Sequence, residues 1–228
     1  MDNTRTPVLY IVGNYNIDLV MGTLTHWPAQ GTEMMLEHSA LRPGGSAGNC
    51  ALAAAAMQLP HCTVGCQGDD AFTPWLAAQF PGGSARWPQY PCETSLTVAI
   101  THPNKERSFL SNHGHITRLT ARDVLSQLPA AAGEGDIVLL CGTFLCTGLL
   151  SDYPQLLATL RQRGFTLAVD TGWPPQGWSD PLRHEVDRWL GDCDWLLLND
   201  VETLQLAGHP TLAEAAAALA ARLSGRGR

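Results

Sequence analysis

Lysine is almost missing from this chain: Lys105 is the only one in 228 residues, and arginine supplies the rest of the 14 basic positions. Because that lysine follows His102-Pro103-Asn104, no Gly-x-x-x-x-Gly-Lys-Ser/Thr loop exists to cradle phosphates. A dinucleotide fingerprint is missing too, since Gly13-Asn14-Tyr15-Asn16 stands where Gly-x-Gly-x-x-Gly would be needed. Positive charge is scarce overall, with 14 Lys+Arg against 21 Asp+Glu and a net charge of -7, so neither nucleic acid nor an anionic membrane meets a basic footprint. Nor does any apolar run reach the roughly 18 residues that span a bilayer. Met1 to Thr6 lacks the basic-then-apolar order of a secretion signal.

Cysteine is present but unpaired in pattern. The seven cysteines are odd in number, scattered and mostly flanked by apolar residues, which is the usage of free thiols in a reducing compartment, and the expectation is a cytoplasmic protein. His61, Cys62 and Cys66, or His113 and His115, lack the second Cys or His pair that a zinc site requires at standard separation.

What is present is the material for one globular core, with 45% hydrophobic residues. Val8 to Val12, closed by Gly13 and Asn14, reads as a buried strand. Ile17 to Met21 and Glu33 to His38 read as short strands of a small projecting sheet, followed by an Ala-rich helix over Asn49 to Leu59 that Pro60 ends. A strand at Thr63 to Gly68, a helix at Asp70 to Phe80 and a hairpin of Thr94 to Thr101 with Arg107 to Ser111 come next. From there helices at 121–128, 153–162, 181–190 and 201–207 alternate with strands at 137–141, 166–169 and 195–198, before a last helix at 212–223. Such βα order predicts an α/β fold, an open, mostly parallel sheet with helices on both faces, in a single domain of 1–228 with lid strands from about 14–42 and 86–112.

Three segments carry chemistry. Gly13-Asn14-Tyr15-Asn16-Ile17-Asp18 ends the first strand, where ligands bind in open parallel sheets and where short Asn and Asp side chains orient hydroxyl groups; an Asx-rich turn accounts for the same residues. Arg42-Pro43-Gly44-Gly45-Ser46-Ala47-Gly48-Asn49 runs into the Ala-rich helix, so backbone can approach a ligand beside free N–H groups, although a plain loop with Asn49 as N-cap uses the same letters. At Leu198-Asn199-Asp200-Val201-Glu202, Asn199 or Asp200 as a helix cap with Glu202 in the first turn competes with a phosphate and cation role.

Taken together and in order, these segments resemble the ribokinase-like (PfkB) carbohydrate kinases: Gly-x-x-Asn-x-Asp after a strand, a lid sheet, Gly-Gly-x-x-x-Asn opening an Ala-rich helix, and a late Asn-x-x-Glu. The similarity runs from Val8 to about Leu223 and takes in Gly68-Asp69-Asp70 and Asp170 to Trp178. It departs from the family where Thr73 replaces a glycine and Pro174 an arginine.

The resemblance implies a transfer of the γ-phosphate of ATP to a sugar or sugar-like alcohol. It assigns Asn16, Asp18, Gly44, Gly45 and Asn49 to the acceptor, and Asn199 and Glu202 to the nucleotide, with Glu202 serving Mg2+, directly or through water. It also implies partners limited to a small polyol and ATP, and a homodimer formed through the lid. The family's Gly-Ala-Gly-Asp-like motif, which supplies an anion hole and the general base, does not occur in these residues. Gly68-Asp69 lies in the early half and Gly135-Asp136 precedes a strand rather than a helix. The expectation is therefore a truncated kinase, short by roughly 70 to 90 residues of a domain near 300, with the C-terminal part of the fold missing and a sheet face left uncovered. A non-catalytic sugar-binding or regulatory protein and a nucleoside kinase are the alternatives.

Overall fold

The computed structural model describes residues 5–226. In chain order it forms β1 (Leu9–Gly13), β2 (Asn16–Gly22), β3 (His38–Gly44), α1 (Ser46–Ala56), β4 (His61–Val64), α2 (Thr73–Ala78), β5 (Leu96–Thr101) and β6 (Arg107–Ser111). The second half adds α3 (Ala121–Gln127), β7 (Ile137–Cys141), α4 (Thr147–Leu150), α5 (Tyr153–Gln162), β8 (Thr166–Asp170), α6 (Asp180–Leu190), β9 (Trp195–Leu196), α7 (Asp200–Ala207) and α8 (Leu212–Ala220). Single 3-10 turns occur at Ser84–Arg86 and His115–Arg118.

Five strands make one parallel sheet in the order β4-β1-β7-β8-β9. Gly13 pairs with Cys141 and Cys141 with Asp170, so three strands end at the same level, where an open α/β sheet receives its ligand. Side chains alternate between the two faces of these strands. Tyr10, Val12, Val138, Leu140, Leu167 and Val169 point to one layer, against Val124 of α3, Leu156, Leu157 and Leu160 of α5, and Trp189 of α6. Ile11, Leu139, Cys141 and Ala168 point to the other, against Ala47, Ala51 and Ala54 of α1 and Leu76 of α2. Each leucine so buried contributes about 1.5–3 kcal/mol, which is how nearly continuous apolar strands hold helices on both faces. On the α1 side this cover stops short of β9, leaving an open cleft lined by Leu196, Leu197 and Leu198.

The lid is a four-stranded sheet of order β3-β2-β5-β6, antiparallel except for the β2–β5 pair. Register divides it into two chemically different faces. Arg42, Asp18, Thr97 and Ser111 stand side by side across all four strands, and Leu41, Leu19, Val98 and Leu110 form the adjacent row on the opposite face. His115, fully buried, ties the root of the lid to the core: its Nδ1 accepts the Ser95 N–H at 2.9 Å, and its Nε2 reaches the Tyr15 carbonyl at 3.0 Å.

Several boundaries differ from the sequence expectation. The second lid strand lies at His38–Gly44 rather than Glu33 to His38, because pairing with β2 from Asn16↔Gly44 to Gly22↔His38 outweighs the turn tendency of Pro43. Pro43 is tolerated there since β3 is an edge strand with no partner awaiting its missing N–H. The Ala-rich helix starts at Ser46, not Asn49, with Gly45 in the cap position at φ 85. The late strand contracts to Trp195–Leu196, and only the Leu197 N–H, 2.8 Å from the Val169 carbonyl, extends it. Trp87 and the turn before it belong to the core beside Tyr15 and Phe80, not to the lid.

Asp136 is buried against Arg5 at 2.9 Å and accepts the Val8 and Gly133 N–H groups, so it pins the entry to β7. No helix among the described residues is long and apolar enough to cross a membrane.

Candidate functional site

Asn16 opens β2 and is buried at 5% exposure, so its amide must find partners inside the protein. Its Nδ2 donates to Asp18 Oδ1 at 2.8 Å and lies 3.5 Å from Thr97 Oγ1, while its Oδ1 accepts from Asn14 Nδ2 at 3.4 Å. Thr97 and Ser111 continue the chain of polar groups at 2.8 Å. Burial pushes the half-buried Asp18 carboxyl above its ordinary range, and the Asn16 amide and the Arg107 charge pull it back only in part.

Gly44 and Gly45 interlock with this pair. A Cβ on Gly44 would overlap the Asp18 carboxylate, and one on Gly45 would overlap the Asn14 carbonyl and Asn16 Oδ1. Gly45 also holds φ 85, a conformation that favours glycine, so the doublet lets the lid strand pass directly over the two polar side chains and enter α1. Four of the five residues assigned to the acceptor thus form one cluster. Asn49 stands apart, exposed in the first turn of α1, its N–H donating to the Gly45 carbonyl at 2.8 Å.

A cavity of about 450 Å³ lies beside the cluster, with Asn16, Thr97, Ser111, His113 and Phe109 on its lid side and Trp173 and Pro175 opposite. Next to it, across the strand ends, opens a larger cleft of about 810 Å³ whose lining includes Cys50, Cys141, Asp170, Trp173, Asn199 and Glu202. Trp173, half-exposed, belongs to both walls and marks where the two spaces meet. Another cavity of about 440 Å³, between α1 and the β4 edge, contains none of the residues assigned to the acceptor or the nucleotide, though His61 and Cys62 line it.

Asn199 and Glu202 make a reciprocal capping box: Asn199 Oδ1 accepts the Glu202 N–H at 2.9 Å, and Glu202 Oε2 accepts the Asn199 N–H at 3.1 Å. This fixes the Glu202 carboxylate, only 6% exposed, at the wall of the cleft. Across from it, burial raises the Asp170 carboxyl above the usual range, the Gly172 N–H opposes that shift, and the neighbouring Glu202 charge adds to it. Two carboxylates in one lining, with no Lys or Arg there among the described residues, form a surface that a hydrated divalent cation satisfies and a bare triphosphate does not. Among the described residues no three His, Cys, Asp or Glu side chains converge, so a cation here would keep water ligands.

The same wall carries two thiols. Cys141 Sγ lies 3.9 Å from Cys50 Sγ, and this contact lowers the Cys50 thiol below its ordinary range in spite of its burial, while Cys141 is raised. Sequence reasoning missed this pair and the parts played by Thr97, Ser111 and Trp173 in the walls. Thr97 alternates with Leu96, Val98 and Ile100 in β5, so there the period-2 pattern contained the signal; Ser111, in the non-alternating β6, is placed by its pairing with Thr97, and the thiols meet only through the packing of α1 on β7.

Compared by sequence, no curated protein matches the chain. Solved structures do share its fold. A ribokinase from Arabidopsis thaliana, complexed with ribose and ATP, superposes with a TM-score of 0.71 at 19% identity, over 96% of this chain and 70% of that one. A fructokinase from Xylella fastidiosa with bound ATP gives a TM-score of 0.71 at 17% identity, with coverages of 96% and 70%. A fructokinase double mutant from Vibrio cholerae O395, bound to fructose, ADP and potassium ion, gives 0.71 at 20%, with 95% and 67%. The family model described as pfkB family carbohydrate kinase matches residues 8–226, and with the strand-end cluster, the lid and the late Asn-x-x-Glu in place, the chain belongs to the pfkB carbohydrate kinases.

Proposed function

We propose that this chain binds a sugar or sugar-like alcohol in the cavity under the lid and Mg2+ with ATP in the adjoining cleft, as the substrate-holding part of an ATP-dependent phosphotransferase. The observation that carries this reading is the contiguity of the two spaces at Trp173, with Asn16 on one side and Glu202 on the other. Asn16 and Asp18 offer a donor and acceptors to vicinal hydroxyls, and the Gly44-Gly45 doublet leaves room for them beneath the lid. Asn199 orients Glu202, whose carboxylate would hold Mg2+ through water, and Asp170 would add to the negative potential there. ATP supplies the phosphoryl group and Mg2+ offsets its charge. Asn49 is kept in this assignment through its place in the first turn of α1, which directly follows the Gly44-Gly45 doublet.

The 228 residues hold no Gly-Ala-Gly-Asp-like segment opening a helix, which favours binding without effective turnover by this chain alone. A sugar-binding regulator and a nucleoside kinase fit the same walls, and acceptor choice separates them. The net charge of -7 favours small-molecule partners over nucleic acid, and the free thiols favour a cytoplasmic setting.

The lid also bears on assembly. The row Leu41, Leu19, Val98 and Leu110 leaves Leu41 at 40% and Leu110 at 53% exposure on the face away from the polar cluster, an apolar surface that a second copy of the lid would cover.

The test is a thermal-shift panel of sugars, polyols and nucleosides, with and without Mg·ATP, run beside a coupled assay for ADP release. The expected result is stabilisation by a polyol with no acceptor-dependent ADP release. Rapid acceptor-dependent turnover would overturn the non-catalytic part of the reading, and a panel that stabilises nothing would overturn the binding part.

A further inference from the structure

The two thiols in the cleft wall lie on elements far apart in sequence. Cys50 sits on α1, half-buried and open to the cleft, and Cys141 ends β7 at 2% exposure. The backbones are already close, because a Cβ on Gly13 would overlap the Cys141 carbonyl on one side and crowd the Ala47 methyl of α1 on the other. With the sulfurs 3.9 Å apart, a bond of about 2.05 Å requires them to close by about 2 Å. The other thiols have different surroundings. Cys66 Sγ donates to the His115 carbonyl at 3.2 Å, Cys193 Sγ to the Trp189 carbonyl at 3.7 Å, and Cys62 touches the Arg86 guanidinium. Among the described residues, Cys50 with Cys141 is the one thiol–thiol hydrogen bond.

From this geometry we infer that Cys50 and Cys141 form a peroxide-oxidisable dithiol, a modification site on the wall of the cleft that closes to a disulfide joining α1 to β7. The oxidant is a hydroperoxide small enough to enter the cleft. Cys50 is the attacking group, being the more acidic thiol and the one exposed to the cleft. Its thiolate attacks the distal peroxide oxygen, the O–O bond breaks, and the alkoxide leaves as the alcohol by taking the proton released when Cys50 ionised. The Cys141 sulfur then attacks the Cys50 sulfenic acid. The S–S bond forms as the S–O bond breaks, and hydroxide leaves with the Cys141 proton as water. Two thiols are oxidised by two electrons, and one peroxide is reduced to alcohol and water.

The bond would pass beside Asp170 and hold α1 against the strand ends, narrowing the space assigned above to Mg·ATP. That consequence rests on the proposed function, whereas formation of the bond does not.

The reduced, desalted chain is treated with one to a few equivalents of hydrogen peroxide and mapped under non-reducing conditions. The expected product has a Cys50–Cys141 cross-linked peptide, a mass lower by two hydrogens, two of the seven thiols lost to titration, and full reversal by dithiothreitol. Cys141→Ser is expected to stop at a Cys50 sulfenic acid that dimedone traps, and Cys50→Ser to lose the cross-link. A wild-type chain that stays folded by circular dichroism yet gives no such peptide, or that cross-links a different pair, would overturn the inference. In the same samples, Mg·ATP stabilisation is expected to vanish on oxidation and return on reduction. If the cross-link forms and Mg·ATP stabilises neither state, the dithiol stands and the nucleotide reading of the cleft falls.

Discussion

His115 Nε2 lies 3.0 Å from the Tyr15 carbonyl although 100 positions separate the two residues, and this contact fastens the lid to the end of the first strand. Because Nδ1 accepts a hydrogen bond from the Ser95 N–H, the ring's own proton must sit on Nε2, so the neutral ring satisfies both backbone partners. A protonated ring would set one donor against another.

Stability should therefore depend on pH through this residue. Burial lowers the His115 pKa to about 4; the hydrogen bond to Tyr15 and the Asp70 charge counter that only in part. A folded value below the ordinary 6.5 means that unfolding takes up a proton between the two. The stabilisation is complete above about 6.5 and is lost as pH falls toward about 4, by on the order of 3 kcal/mol across that window. Urea midpoints measured from pH 7.5 to 4.5 should drop more steeply for the wild type than for His115→Gln, and parallel curves would refute the assignment.

Substitution of the glycine doublet should harm folding and binding together. Gly45→Ala places a Cβ against Asn16 in a backbone conformation alanine resists, a cost of about 1–3 kcal/mol. Gly44→Ala displaces the Asp18 carboxylate, and acceptor affinity should fall at least about tenfold, a loss of about 1.4 kcal/mol. Denaturant melts and acceptor titrations of both variants check this.

The capping box separates structural from ligand effects. Asn199→Ala should cost about 1 kcal/mol of stability by removing the N-cap of α7. Glu202→Gln keeps the shape of the side chain and removes its charge, so it should weaken stabilisation by Mg·ATP several-fold with a smaller change in the unfolding midpoint. Thermal shifts with Mg·ATP, compared with ATP plus chelator, distinguish the two.

For the lid, Leu41→Asp or Leu110→Asp should convert the proposed lid dimer to a monomer in sedimentation velocity. Neither residue faces the polar row containing Asp18, so acceptor binding per chain should persist.

Much of this architecture was legible in the order of residues. Tyr153–Gln162 and Ile137–Cys141 fall where apolar periodicity puts them, because their cores are leucine-rich and their ends are marked by glycine or polar turns. Asn16, Asp18, Gly44 and Gly45 are grouped through the resemblance of their two segments to the family's motifs. Harder to read was the strand at His38–Gly44, whose Pro43 and glycines argue locally against extension and which exists through its pairing with β2. The cleft wall was less legible still. Cys50 and Cys141 are ordinary apolar-flanked cysteines until a helix of alanines packs close enough to bring their sulfurs together.

The two-faced lid has a consequence for how this chain tolerates change. Inserting or deleting one residue within β2 would exchange Asp18 for Leu19 in the polar row and move that strand's following side chains to the opposite face of the sheet. The irregular Thr23 to Glu37 connection is under no such constraint, since doubling a flexible loop costs only about 0.6 kcal/mol. Length variation in this lid should collect in that connection, with the strand beside it held to a fixed count.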